Sequence, residues 1–432
     1  MADEKEKKKP KLKVDVRKGL AKGDEIVGRT ARATRRVLAL RDTLGDGAVR
    51  MASHDFQRVR IPTGSFRLDW GTGGGLPIGR THTFWGLSSS GKTTAALRVV
   101  GQAQRFCCNC YRYPVLQADG TPYCDCYQEK LVRVKQLPDE LKGEFTSRID
   151  RYMENSYEPV MAHFADVEGD LDEPWAVALG VIPEQLTISE HDSGEEVVDV
   201  VEALILGGDS DFIVVDSLAM MVPTAELERS AENKGRGEQP LLINMAVRKW
   251  TQARVTARRE FGRIVTILLI NQARQKMDNS GYGGPQLQKP GGMGQKFAGS
   301  VEVYFWEATG DIDDIKVDST KSHNFKRANT AISRFRTDKN KTAGTRGVTG
   351  EIEFFVRDVP PFKKGMVNDL PDIWRLCKKV ELARKTEKPN KFWLWDESFG
   401  TEKAAKEWLL ENPEFERRLR AKLADEMMRM EA

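Results

Sequence analysis

A glycine-rich motif near residue 90 constrains this chain of 432 residues more than any other feature. The stretch Gly86-Leu-Ser-Ser-Ser-Gly91-Lys92-Thr93 fits the pattern G-x-x-x-x-G-K-[ST], follows an apolar run and precedes a helical pattern. In this context the glycines let backbone N–H groups turn around phosphates, and the following helix adds its positive end. The motif therefore predicts an ATP site in an α/β fold. The residues expected to bind the nucleotide are Gly86, Ser88, Ser89, Ser90, Gly91, Lys92, Thr93 and Thr94.

Two side chains of the motif have expected roles. Lys92 is expected to reach the β- and γ-phosphates, and the hydroxyl of Thr93 is expected to bind Mg²⁺. Asp216 ends the apolar run DFIVVD. A carboxylate at the carboxyl end of a buried parallel strand lies at the ligand edge of the sheet, so Asp216 is the candidate partner of this Mg²⁺.

Hydrolysis of a γ-phosphate also needs a carboxylate that orients or deprotonates the attacking water. Glu168 follows an apolar run in the segment FADVEGDLD. Asp166, Asp170 and Asp172 lie in the same segment, and spacing by itself does not choose among the four.

Apolar runs alternate with helical patterns around these motifs, which predicts a mostly parallel sheet covered on both faces. Helices are expected near 91–105, 194–206 and 240–260. The predicted strands cover residues 81–86, 160–167, 185–191, 211–217, 263–271, 300–308, 331–337 and 350–358.

The composition fits a water-soluble protein. The chain is 40% hydrophobic and 31% charged, and its net charge of +4 permits binding of nucleic acid without requiring it. No apolar stretch is long enough to span a bilayer, and the Lys-rich N-terminus has no apolar segment behind it. We therefore expect a cytoplasmic protein without a membrane partner. Residues 1–23 are expected to be a basic disordered tail.

Taken together, the motifs resemble those of the bacterial RecA recombinase family over residues 43–425. The segments that carry the resemblance are IPTGSFRLDWGTGGGLPIGR with GLSSSGKTT, FADVEGDLDEPWAVALGV, FIVVDSLAMMVPTAELE, LLINQARQKM, PGGMGQKFAGSV and KEWLLENPEFERRLRAKLADEM. The resemblance implies an α/β, RecA-like P-loop NTPase core with a mostly parallel sheet. It divides the chain into an N-terminal helical oligomerisation segment (24–60), the ATPase core (61–365) and a small C-terminal α/β domain (366–432), which is mainly helical by pattern.

The resemblance also implies roles for single residues around the nucleotide. It favours Glu168 as the catalytic carboxylate, places Trp175 where an aromatic ring stacks on adenine, and places Asp172 near the nucleotide. Gln272 corresponds to a sensor of the γ-phosphate. Lys339 and Lys341, in RTDKNKTAG, match a pair that completes the ATP site of a neighbouring subunit.

Further roles concern DNA and assembly. The resemblance implies that loops 224–240 and 273–292 bind single-stranded and double-stranded DNA inside a homo-oligomeric helical filament. Cations together with an aromatic or apolar wedge suit single-stranded DNA. The candidate DNA contacts are Arg274, Lys276, Met277, Tyr282, Lys289, Gly291 and Gly292, and the candidate filament contacts are Lys296 and Phe297.

This chain departs from the family's pattern at several places. Insertions are expected at 106–158 and 309–330, and the phosphate loop has Leu87 and Ser88 where proline and glutamate are usual. The strand VEVYFWEA is more acidic and aromatic than expected, which affects the subunit contacts. These departures indicate a divergent member, for which we consider a phage origin.

The first insertion contains five of the six cysteines, in CCNCYRYPVLQADGTPYCDCYQ. Crowded cysteines in a reducing compartment suggest a metal, and tetrahedral Zn²⁺ needs four thiolates. The predicted ligands are Cys107, Cys110, Cys124 and Cys126, with Cys108 as the alternative to Cys107.

Three functions fit the sequence. The first is an ATP-dependent recombinase that forms a filament on single-stranded DNA and promotes homologous pairing and strand exchange, as a DNA-dependent ATPase. The second is a hexameric ring motor, such as a helicase or branch-migration protein. The third is a non-catalytic DNA-binding mediator that uses ATP as a switch. The lysine pair and the C-terminal segment favour the first, and Glu168 argues against the third.

Overall fold

The structure is a computed structural model. It describes residues 59–109, 111–116, 122–124, 157–229, 237–276, 286–290, 295, 297–308, 312–316, 324–343, 345–386, 391–412, 414–416, 418–420, 422–423 and 426.

The strands of the described residues are, in chain order, β1 (Arg60–Ile61), β2 (Leu76–Pro77), β3 (Thr81–Gly86), β4 (Val115–Leu116), β5 (Pro122–Tyr123), β6 (Ala162–Asp166), β7 (Leu186–Glu190), β8 (Phe212–Asp216), β9 (Thr266–Gln272), β10 (Arg274–Lys276), β11 (Gln286–Gln288), β12 (Gly299–Ala308), β13 (Ile312–Lys316), β14 (Asn324–Ala328), β15 (Thr330–Asn340), β16 (Thr349–Phe355), β17 (Ala383–Thr386), β18 (Lys391–Leu394) and β19 (Glu397–Phe399). The α-helices are α1 (Phe66–Thr72), α2 (Lys92–Ala103), α3 (Glu173–Ala178), α4 (Gly194–Gly207), α5 (Thr224–Leu227), α6 (Glu238–Phe261), α7 (Leu370–Lys379) and α8 (Glu402–Glu411).

An eight-stranded sheet forms the centre of the fold, in the order β16-β15-β12-β3-β9-β8-β6-β7. The six strands from β12 to β7 are parallel, and β15 and β16 extend the sheet antiparallel beyond β12. The predicted α/β fold with a mostly parallel sheet is therefore confirmed.

Alternating residues of the parallel strands pack on opposite faces of the sheet. On β8, Phe212 and Val214 belong to the core that packs under α2, whereas Ile213 and Val215 belong to the core under α4 and α6. Trp250 of α6 is 1% exposed within this second core. Because both faces are covered, these strands read as continuous apolar runs in the sequence.

The register of the strands brings the carboxyl ends of four of them to one edge. Gly86 pairs with Gln272 across β3 and β9, and Asp166 pairs with Asp216 across β6 and β8. The motif residues that follow or end these strands therefore meet at the ligand edge of the sheet.

All eight predicted strands are present, with shifts at their ends. The strand predicted at 263–271 begins three residues later, at Thr266, and ends at Gln272. Helix α6 runs to Phe261, and Gly262 ends it in the left-handed conformation, φ 67°. The next three residues return the chain to the sheet, so Gln272 lies within the strand instead of after it.

The C-terminal segment contains a small antiparallel sheet of β17, β18 and β19. The sequence pattern predicts a mainly helical segment here and did not locate these three strands. Each of these strands is only three or four residues long, too short to show a period of hydrophobic residues.

Helix α1 packs against the C-terminal segment. Phe66 of α1 lies in the same core cluster as residues of α7 and α8. Its backbone N–H donates to Asp369, which also pairs with Arg420 at 2.8 Å.

Several predictions lie outside the described residues. These are the tail 1–23, nearly all of segment 24–60, and most of insertion 106–158. In the second predicted insertion, β13 and β14 form an antiparallel hairpin. No helix in the described part of the chain is long and apolar enough to cross a membrane.

Candidate functional site

The phosphate loop lies between β3 and α2, and its two motif glycines are required by close contacts. A Cβ on Gly86 would lie 2.0 Å from the carbonyl oxygen of Phe305 on the neighbouring strand. Gly91 has φ 80° and begins α2, and a Cβ there would lie 1.9 Å from the hydroxyl of Ser333. Substitution at either position would push the loop away from the sheet edge.

Lys92 is buried at the start of α2 and bends back into the loop. Its ammonium donates to the carbonyl oxygen of Leu87 at 2.5 Å and lies 3.5 Å from the hydroxyl of Ser90. Burial lowers the pKa of Lys92. A buried ammonium whose acceptors are neutral oxygens is suited to an anion, so the loop fits phosphate groups.

Thr93 and Asp216 form the adjoining candidate Mg²⁺ site. The Thr93 hydroxyl donates to Asp216 Oδ2 at 2.5 Å. Burial, assisted by the negative charges of Glu168 and Asp166, raises the pKa of Asp216 to about 7. A divalent cation would favour the ionised carboxylate. The hydroxyl and the carboxylate are hard oxygen ligands, so this donor set fits Mg²⁺.

Glu168 lies beside this pair and is held from two sides. Its Oε1 accepts a hydrogen bond from the Ser217 hydroxyl at 2.5 Å and another from Gln272 Nε2 at 2.7 Å. The carboxylate is thus tied to the segments that end β8 and β9. Sequence reasoning missed Ser217, although its position directly after Asp216 was a usable signal.

The three other acidic residues of the segment have different surroundings. Asp166 accepts from the backbone N–H groups of Gly169 and Leu171 at 2.9 and 3.0 Å, and so shapes the turn. Asp172 caps α3 by accepting from the backbone of Trp175 at 2.9 Å, and Asp170 is exposed. Of these four described carboxylates, Glu168 is the one that lines the cavity at the phosphate loop.

That cavity has a volume of about 590 Å³. Trp175 lies on its wall, donates from Nε1 to the Thr94 hydroxyl at 3.3 Å, and is half-buried against the core. The ammonium of Lys364 lies 5.4 Å from the Trp175 ring centroid, and sequence reasoning did not predict this neighbour. The cavity is lined by Ser88, Ser89, Ser90, Gly91, Lys92, Thr93, Thr94, Glu168, Trp175, Asp216, Gln272, Glu307, Ala328, Thr330, Ala331, Ile332, Ser333, Phe354 and Val356.

The second predicted DNA loop starts from an antiparallel ladder. Arg274 and Lys276 lie in β10, which pairs with β11, and Lys289 follows β11 directly. The side chain of Arg274 is exposed and its guanidinium lies 3.4 Å from the carbonyl oxygen of Ala219, beside the first loop. Because Gln272 lines the cavity at the phosphate loop, the second predicted loop begins next to this cavity. Met277, Tyr282, Gly291, Gly292 and Lys296 lie outside the described residues.

Lys339 and Lys341 lie at the end of β15 and do not line the cavity of their own chain. Lys339 binds Glu302 at 3.2 Å, and the ammonium of Lys341 donates to the carbonyl oxygen of Phe297 at 2.6 Å. Phe297 itself is 69% exposed, which is unusual for a large apolar side chain. Glu302 was not selected from the sequence, although a glutamate within an apolar strand was a signal.

The cysteine-rich segment leaves the core at the sheet edge opposite the phosphate loop. Tyr111 donates its hydroxyl to the carbonyl oxygen of Ile264, just before β9 begins. Cys107 and Cys124 are buried, and the thiol of Cys108 contacts Glu158 at 3.6 Å. Among the residues that the structure describes, no three metal-ligating side chains come together, and the predicted ligands Cys110 and Cys126 lie outside them.

Comparison with known proteins adds a family match and several relatives. The model of the RecA N-terminal domain matches residues 35–117 and 138–344, and the gap between the two ranges falls inside the cysteine-rich insertion. A protein named RecA from Nautilia profundicola is 32% identical over 257 residues, 59% of this chain and 57% of the relative. RecA of Thermus thermophilus is 33% identical over 268 residues, 61% of each chain. The matches thus span about three fifths of the relatives' length.

Proposed function

The chain belongs to the RecA family, and we propose that it is an ATP-dependent recombinase that forms a filament on single-stranded DNA and promotes homologous strand exchange. The observation that carries this proposal is the contact between Gln272 and Glu168. It joins a residue that lines the cavity at the phosphate loop to the strand that leads directly into the second predicted DNA loop.

Each residue of the site has a separate proposed role in ATP hydrolysis. In the proposed reaction the phosphate loop and Lys92 bind the phosphates, and Glu168 orients the attacking water. Bound Mg²⁺, held by Thr93 and Asp216, would supply neutralisation of phosphate charge. Trp175 offers a ring for the adenine, and Asp172 acts by capping the helix that carries this ring.

Gln272 can couple the state of the nucleotide site to the second predicted DNA loop. In the structure its amide donates to Glu168 at 2.7 Å. A γ-phosphate offers a competing acceptor, and a shift of Gln272 toward it would move the adjoining β10 and its loop. The amide can therefore act as a two-state element that links nucleotide to DNA.

Electron microscopy with ATP and single-stranded DNA tests the assembly directly. A recombinase is expected to form helical filaments, because heterologous contacts that do not close generate open helices. Closed rings would instead support a ring motor. A protein that binds DNA in response to ATP but shows neither assembly nor hydrolysis would support an ATP-switched mediator.

Arg274→Ala is expected to weaken binding of single-stranded DNA. One lost phosphate contact should reduce the slope of log affinity against log salt by about one, while ATP binding stays unchanged. Arg258→Ala is the matched control, because Arg258 is exposed near the end of α6, at the opposite edge of the sheet. An unchanged slope for Arg274→Ala would place the DNA site elsewhere.

We also propose that the cysteine-rich insertion binds one Zn²⁺ per chain. Support comes from the turn at Cys107, where the backbone N–H of Tyr111 donates to the Cys107 carbonyl at 2.8 Å, and from the short β4–β5 hairpin that leads to Cys124. Two cysteine-bearing turns joined by a hairpin can present four thiolates to zinc. The contact of Cys108 with Glu158 favours Cys107 as the ligand.

Replacing Cys107, Cys108, Cys110, Cys124 and Cys126 with serine is expected to remove the zinc and make the insertion protease-sensitive. A segment with few large apolar side chains relies on the metal for its folding free energy. ATP binding should persist, because the insertion joins the sheet at the edge opposite the phosphate loop. Elemental analysis measures the zinc, with Cys377→Ala as the control that keeps it. Protein purified without chelators that contains no zinc would contradict the proposal.

A further inference from the structure

One wall of the cavity at the phosphate loop is the sheet face that continues the core under α2. On β12, Val303 and Phe305 belong to this core, and Glu307 is the next residue on the same face. The residue opposite Glu307 is Ser333 of β15, whose hydroxyl lies close to Gly91 of the phosphate loop. Glu307 therefore lies beside the loop, and its side chain lines the cavity.

The rest of this wall is apolar. Ala331 pairs with Phe354 across β15 and β16, one position farther along the face that carries Ser333. Val356 continues the face beyond the end of β16, and Trp175 of α3 lines the same cavity. The wall thus changes from polar side chains beside the phosphate loop to apolar side chains farther along the strands.

This order of side chains matches the order of groups in ATP. The triphosphate belongs at the phosphate loop, and the purine base is the apolar group at the other end of the molecule. Aromatic and aliphatic side chains suit such a base. The ribose connects the two, so a nucleotide in this orientation brings its ribose to Glu307.

Glu307 offers a hydrogen-bond acceptor that its own chain does not use. Its side chain is exposed, and among the residues that the structure describes none forms a hydrogen bond or an ion pair with its carboxylate. A carboxylate near a triphosphate is repelled by it, and a hydrogen-bond donor on the nucleotide offsets this repulsion. The two adjacent hydroxyls of a ribose are such donors, and an ionised carboxylate can accept both through its two oxygens.

We propose that Glu307 binds the 2′- and 3′-hydroxyls of the ribose and makes the site prefer ribonucleotides. The inference rests on the proposed function, in which the cavity binds ATP, and adds the sugar contact to it. The exocyclic amine of adenine is the other donor of ATP, but it belongs to the base, which the apolar part of the wall accommodates. The acidic strand VEVYFWEA, which departs from the family's pattern, thereby contributes to nucleotide selection.

The test compares the dissociation constants of ATP and 2′,3′-dideoxy-ATP by calorimetric titration with Mg²⁺. The unaltered chain is expected to bind ATP about tenfold more tightly, since a hydrogen bond to a charged acceptor contributes about this factor. Glu307→Ala should bind ATP about tenfold less tightly, bind 2′,3′-dideoxy-ATP as before, and so lose the preference. In hydrolysis assays with single-stranded DNA the variant should raise KM far more than it changes kcat, because the sugar contact is equally present in the ground state and the transition state.

Controls separate the ribose from the rest of the nucleotide. Glu351→Ala should keep the preference, because Glu351 is an acidic residue of β16 that is 47% exposed and does not line the cavity. Purine riboside triphosphate lacks the exocyclic amine but keeps both hydroxyls, so Glu307→Ala should weaken its binding by the same factor as that of ATP. Inorganic triphosphate has no sugar and should bind the variant no more weakly than the unaltered chain.

Several outcomes would overturn the inference. These are equal affinities of the unaltered chain for ATP and 2′,3′-dideoxy-ATP, a preference that Glu307→Ala retains, or a loss of affinity that spares purine riboside triphosphate or extends to inorganic triphosphate. If Glu307→Ala does not fold by circular dichroism, Glu307→Gln decides: its single neutral acceptor should reduce the preference by about threefold, and an unchanged preference overturns the inference. If the unaltered chain binds neither nucleotide, the proposed function fails and the inference fails with it.

Discussion

Glu168→Gln is expected to bind ATP with nearly unchanged affinity and to lose hydrolysis by about 10²-fold or more, because removal of a positioned general base typically costs that much. The glutamine can still accept hydrogen bonds from Ser217 and Gln272, so the edge of the sheet should keep its geometry. The substitution removes the carboxylate that orients the attacking water. Single-turnover hydrolysis and nucleotide-binding titrations measure the two effects separately.

Two companion variants make this result specific. Lys92→Ala should lose nucleotide binding itself, since Lys92 is the buried ammonium of the phosphate loop. Asp170→Asn is the matched control, because it neutralises an exposed carboxylate two residues away and should hydrolyse ATP normally. Normal hydrolysis by Glu168→Gln would show that another group orients the water.

The double variant Lys339→Ala/Lys341→Ala is expected to bind ATP and to lose nearly all hydrolysis. Neither lysine lines the cavity of its own chain, so ATP binding should not depend on them. Two ammonium groups delivered by a neighbour would neutralise the charge that develops on the transferred phosphoryl group. Loss of hydrolysis with retained binding is the expected signature of a site shared between subunits.

Mixing experiments separate action between chains from action within one chain. In an equal mixture with Lys92→Ala chains, about a quarter of head-to-tail contacts pair an intact phosphate loop with an intact lysine pair. Hydrolysis should therefore return in part, although each variant is inactive alone. Mixtures that co-assemble and remain inactive would contradict action between subunits.

The sequence predicted the central sheet well, because its strands are buried on both faces and end at recognisable motifs. The run DFIVVD, for example, gives both the strand β8 and the position of Asp216. Strands β17 to β19 could not be located, since each is only three or four residues long and depends on packing against α7 and α8. The hydrophobic pattern within a short segment does not indicate such tertiary contacts.

The candidate site was predictable to a similar degree. The sequence motif and the order of the strands predict the phosphate loop and Asp216. The spacing of residues did not distinguish Glu168 from the three other acidic residues of its segment as the catalytic carboxylate. The structure adds what depends on three-dimensional neighbours: the hydrogen bonds from Ser217 and Gln272 to Glu168, and the two lysines on Glu302. These residues are between 13 and 104 positions apart in sequence from their partners, so no local motif links them.

A strand-exchange assay tests the central claim most directly. A labelled duplex is mixed with single-stranded DNA of the same sequence, and displacement of the labelled strand is followed with ATP and Mg²⁺. We predict displacement that requires ATP, requires homology between the two DNAs, and is absent with the Lys92→Ala chain. No displaced strand from a chain that forms filaments and hydrolyses ATP, or equal displacement with unrelated DNA, would contradict the assignment as a recombinase.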